Sequence, residues 1–181
     1  MLADLPCQPL HFLPGLLSVA LSDTRTNFVR VPIGVAVRTG ARRPDISSVE
    51  AFKRTVLDAR SLAILKASTP GASGTYLDGL FERFGIAAEM QQKSRRPDTD
   101  IVGDLVATGE VDVGITAIAT LMATPGLDVI GPIPPEIQSY VCFVGGVSAN
   151  SATPDVAREL ILLVTGPEAI PIIRANGMEP W

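Results

Sequence analysis

Ser61-Leu-Ala-Ile-Leu-Lys66, Ala67-Ser-Thr-Pro-Gly-Ala-Ser-Gly74 and Thr75-Tyr-Leu-Asp-Gly-Leu-Phe-Glu-Arg-Phe84 follow one another without a gap. The first piece is a short apolar run bounded by polar residues, which reads as a buried strand. The second is made of small residues and holds two glycines and a proline, so it turns. The third places Tyr76, Leu80, Phe81 and Phe84 on one helical face, and Gly85 stops it. Strand, tight turn and helix in two dozen residues make one unit of an α/β sheet.

The same grammar extends to both sides. Upstream, Ser47 with Glu50 forms a capping box, and Val49, Phe52, Val56 and Ala59 share the face of the helix it opens. Before it, residues 31–37 are apolar and partly β-branched, a strand whose Pro32 marks an edge or bend. Arg38, Arg42 and Arg43 lie in or beside the loop that follows.

Downstream, residues 86–93 read as a connection into a weak strand, with Arg95 and Arg96 in a solvated loop. A helix is expected over 98–108, strands over 111–115 and 128–130, and a short helix over 116–122 between them. Short alternating elements predict an α/β fold with a parallel, doubly wound sheet. Gly131-Pro-Ile-Pro-Pro135 makes a stiff break. A long apolar strand over 139–147 follows, then a helix capped by Thr153 with Pro154 at its first position, and a last helix between Gly166 and Gly177.

Composition narrows the function. The 181 residues are 46% hydrophobic and carry a net charge of -4, so disorder is excluded and a broad nucleic-acid surface is disfavoured. Aromatics are 5%, which leaves little for base stacking. The cysteines are Cys7 and Cys142, far apart, and the sole histidine is His11. No pattern for a zinc site exists and no metal or other cofactor is expected. One disulfide stays open, although Cys142 sits in an apolar run and is expected in the core. A catalytic triad would have to recruit His11 from an atypical leader, so no catalytic residue is assigned. Residues 12–21 are apolar but too short to span a membrane. With Asp4 and no Lys or Arg before them, they make a poor signal peptide.

The residues best placed for chemistry are Ser68, Thr69, Ser73 and Gly74, in the loop that leaves a strand and enters a helix. Ligands of open α/β sheets sit beyond the carboxyl ends of strands, and helix N-termini favour anions. The ordinary alternative is a helix cap with a tight turn. The loop matches neither the phosphate-binding GxxxxGK[ST] pattern nor GxGxxG. Thr116, at the end of the next strand, is a second candidate, with helix capping as its ordinary role. Tyr140, opening the long strand, is a third, with core packing as its alternative.

Taken in order, the segments resemble the molybdate-type extracellular solute-binding proteins of ABC transporters, which have the type-2 periplasmic binding fold. The resemblance rests on Ile33-Gly-Val-Ala-Val-Arg38, Asp45-Ile-Ser-Ser-Val-Glu-Ala-Phe-Lys53 and Gly71-Ala-Ser-Gly-Thr-Tyr76. It continues with Gly109-Glu-Val-Asp-Val-Gly114, Val129-Ile-Gly-Pro-Ile-Pro134, Gly166-Pro-Glu-Ala169 and Gly177-Met-Glu-Pro180. It implies two α/β lobes that close over a small anion, a membrane permease as partner, and a periplasmic location. It also implies a domain plan. Residues 41–135 would be one complete lobe, and residues 31–40 and 136–181 the linking strands and remnant of the first lobe. Residues 1–30 are unmatched, so most of the first lobe is expected to be missing. Two other activities share the scaffold: an isomerase of tricarboxylic acids such as aconitate, and the effector-binding domain of a transcription regulator. No helix-turn-helix lies upstream to support the second.

Overall fold

The computed structural model describes residues 24–68 and 73–181. The expectations placed on His11, on the apolar stretch 12–21 and on Thr69 lie outside the described residues. The chain divides into two compact units, one over Pro32–Val141 and one that includes the segment Cys142–Trp181.

The larger unit is a helix-covered sheet with strand order β3-β2-β4-β1-β5. β1 (Thr26–Arg38) enters it with its second half. Then come α1 (Val49–Asp58), β2 (Leu62–Ile64), α2 (Gly74–Arg83), α3 (Ala87–Lys93), β3 (Ser94–Arg95), α4 (Val102–Ala107), β4 (Val113–Ala117), α5 (Ile118–Ala123) and β5 (Leu127–Pro132). β2 is parallel to β3 and to β4, with Ile64 opposite Ile115. β1 runs antiparallel to both β4 and β5, so the sheet is mixed.

The apolar run of β2 serves both faces of this sheet. Leu62 and Ile64 pack into one cluster with Phe52, Leu77, Leu80 and Phe81. Ala63 and Leu65 join another with Val102, Val106 and Val111. Alternate side chains of a strand point to opposite faces, so a strand covered on both sides must be apolar throughout.

The second unit is smaller. The first half of β1 pairs antiparallel with β7 (Glu179–Pro180), and Arg30 forms an ion pair with Glu179 at 2.8 Å. β6 (Tyr140–Gly145) leads into it, and α6 (Pro154–Thr165) and α7 (Ile170–Ala175) follow. Gly145 lies against the Phe28 ring, where an added Cβ would come within 2.4 Å. α6 buries none of its residues, and Val156, Leu160 and Leu163 form an exposed apolar stripe along it.

Several local expectations change. Ser48, not Ser47, caps α1, accepting from the Ala51 N–H at 3.1 Å, while the Ser47 N–H is taken by the Asp45 carboxylate. Residues 87–93 are helical, because Ala, Glu, Met, Gln and Lys are good helix formers and burying Met90 suffices to dock them. Thr153 makes no side-chain cap. Cys142 is half-buried and disulfide-bonded, not a thiol in the core.

Candidate functional site

β2, β3 and β4 run parallel, so their carboxyl ends share one edge of the sheet. Beyond β2 the chain passes Ser68, which is exposed, and re-enters the described structure at Ser73. Gly74 then starts α2 pressed against the end of β2. A Cβ on it would lie 2.0 Å from the Leu65 carbonyl oxygen, so only glycine permits this approach. Thr75 secures the turn by donating its hydroxyl to the Ala67 carbonyl at 2.8 Å.

This docking buries Ser73 to 3% exposure. Its backbone is already helical and its hydroxyl caps nothing. Thr116 lies next to the β4 residue that faces Ile64 and is 1% exposed. It belongs to β4, not to the helix after it. The residue preceding α5 is Ala117, so the expected capping role is absent. Both hydroxyls are buried and have no hydrogen-bond partner among the described residues. A buried hydroxyl left unpaired costs about 1–3 kcal/mol. One at the N-terminus of the ten-residue α2 and one near the carboxyl end of β4, they are groups able to donate to an anion. Tyr140 starts β6, is half-buried and already has a partner.

The same edge holds charged groups that the sequence reading passed over. Arg96 follows β3 and is not a solvated loop residue. Its Nη1 bonds Asp78 of α2 at 2.7 Å, while its Nε is buried without a partner among the described residues. Lys66 pairs with Asp98 at 3.1 Å, and its N–H donates to the Pro97 carbonyl. Asp100, further along that loop, accepts from the Thr120 hydroxyl of α5 at 3.0 Å. Atoms crowded around the Asp100 carboxyl raise its pKa, the Thr120 bond pulls it down, and the charge of Asp104 adds to the rise. The parallel register of β2 and β3 was the signal that would have brought Arg96 to this edge. A two-residue strand has no periodicity from which to read it.

Among the described residues, no three or more His, Cys, Asp or Glu side chains converge as metal ligands. No described helix is long and apolar enough to cross a membrane.

A mixed α/β unit with unpaired polar groups beyond the carboxyl ends of its parallel strands is the architecture of a small-ligand binder. Residues 15–179 match the family model described as bacterial extracellular solute-binding protein, and the chain belongs to that family. Its fold is that of molybdate-binding periplasmic proteins. The Azotobacter vinelandii periplasmic molybdate-binding protein superposes with a TM-score of 0.69 at 17% identity, covering 91% of this chain and 73% of that one. A substrate-binding domain assigned to a molybdenum ABC transporter of Clostridium difficile gives 0.70 at 18% identity, covering 92% and 72%. In sequence the chain is 35% identical over 159 residues to an aconitate isomerase from a Pseudomonas species. That match covers 87% of this chain and 59% of the isomerase.

Proposed function

We propose that the protein captures a small anionic solute, an oxyanion or a small carboxylate, and presents it to the membrane permease of an ABC transporter from the periplasmic side. The observation that carries this reading is the pair of buried hydroxyls, Ser73 and Thr116, left without partners beside the N-terminus of α2. The ligand would take the hydrogen bonds these groups lack, with Arg96 Nε as a charged donor on the same edge. Family membership supports the solute-binding role, and the molybdate-binding neighbours support an oxyanion.

The test is calorimetry with molybdate, tungstate, sulfate and small carboxylates. One of these is expected to bind, and Ser73→Ala and Thr116→Val should each weaken it by about 1 kcal/mol or more, roughly fivefold. Full affinity in both variants would remove these hydroxyls from the site.

The 35% identity to an aconitate isomerase favours a second reading, in which the bound carboxylate is isomerised. Asp100, with its raised pKa, is then the group suited to exchange a proton. Chromatography of cis- or trans-aconitate incubated with the protein separates the readings. Turnover that Asp100→Asn abolishes would favour the enzyme, and no turnover favours capture alone.

A further inference from the structure

At the opposite edge of the sheet, where β1 ends and β2 and β4 begin, lies a cavity of about 680 Å³. Its floor is apolar, with Val37, Val111 and Val113 all nearly fully buried. Its wall carries five arginines, Arg38, Arg42, Arg43, Arg54 and Arg60, against three aspartates. The whole chain has a net charge of -4, so this excess of positive charge is local.

Part of the aspartate charge is already engaged. Asp112 is held in a fork by Arg60, at 2.7 and 3.0 Å. Asp45 accepts from the Ser47 N–H at 2.9 Å. Of the arginines, Arg43 donates to the Val129 carbonyl at 3.3 Å. Arg38 lies over Gly109, where a Cβ would sit 2.9 Å from its Nη1, so the glycine makes room for the guanidinium. The guanidinium groups of Arg38, Arg42 and Arg54 make no hydrogen bond or close ion pair among the described residues, although the Arg54 charge helps to lower the pKa of Asp45. Asp58 is the one lining aspartate in the same condition.

We propose that this cavity is a second anion site, one that takes a small multivalent oxyanion between the guanidinium groups of Arg38, Arg42 and Arg54. Guanidinium forks match carboxylate and phosphate oxygens alike, and five guanidiniums against three carboxylates leave the wall net positive. The volume suits a ligand larger than a tetrahedral ion, since small-molecule pockets run from about 300 to 1,000 Å³. The site faces away from Ser73 and Thr116 and stands independently of the function proposed for them.

The experiment titrates pyrophosphate and citrate, in separate arms, into the unaltered protein, Arg42→Gln/Arg54→Gln and Ser73→Ala. Both arginines are exposed, and matching circular dichroism melts would show that the double variant still folds. Binding of either probe is expected, weakened about tenfold or more in the arginine variant and reduced by added salt, with the component lost in that variant persisting in Ser73→Ala. The arm that binds tells phosphate from carboxylate recognition. Binding by neither probe, or equal binding with and without the two arginines, would overturn the proposal.

Discussion

Gln138 is a polar residue 6% exposed, and every part of its amide is used. Its Nε2 donates to the carbonyls of Ile33 and Ile133 at 3.1 and 3.2 Å, and its Oε1 accepts from the N–H groups of Ile33 and Ser139 at 3.0 and 2.9 Å. One side chain thereby ties the middle of β1 to the proline-rich segment after β5. Gln138→Leu fills similar space but takes away the bonds that Gln138 makes to the Ile133 carbonyl and the Ser139 N–H. Chemical denaturation should show a loss of about 2 kcal/mol or more, and an unchanged midpoint would contradict the clamp. Nothing around Gln138 in the sequence singles it out, because its partners are backbone atoms up to 105 positions away. Ser73 and Thr116 were legible because each lies where a strand pattern gives way to a helix. That their hydroxyls go unpaired was not, since capping and ligand binding call for the same residue types.

Among the elements, the long apolar or amphipathic ones were readable and the short ones were not. α1 and α2 each show an apolar face over ten residues, and β2 shows a continuous apolar run between polar ends. α3 buries only Met90, and β3 has two residues, so neither leaves a period to detect. The antiparallel direction of β1 is equally silent, because alternation looks the same in either sense. What aligns β2 with β4 is a polar lock at their amino ends. Asp112 accepts from the Arg60 N–H and its guanidinium, and the Ser61 hydroxyl accepts from the Asp112 N–H at 3.1 Å. The Arg60 bond holds the Asp112 pKa below the ordinary carboxylate value, against a smaller opposing effect of burial. A depressed pKa stabilises the fold above the unfolded carboxylate's pKa, and that part is lost as pH falls through the folded value. Asp112→Asn should therefore lower stability slightly at neutral pH and flatten its fall on acidification, followed by thermal melts across the acid range. A parallel acid limb in the variant would remove Asp112 from the lock.

At the scale of the molecule, the order of segments along the chain carried the α/β fold, and the superpositions agree with it. The chain spans about 59% of the curated isomerase it matches. The exposed stripe on α6, Val156, Leu160 and Leu163, is apolar surface of the kind that promotes association when it forms part of a large patch. The central proposal is more local, that an anion binds beyond the carboxyl ends of β2 and β4. Amide chemical shifts followed by NMR while molybdate, or the carboxylate that calorimetry selects, is added test this directly. The account predicts that the largest changes fall on Ser73 to Tyr76 and on Thr116 to Ile118. Saturable shifts confined to other residues, or none at all, would contradict it.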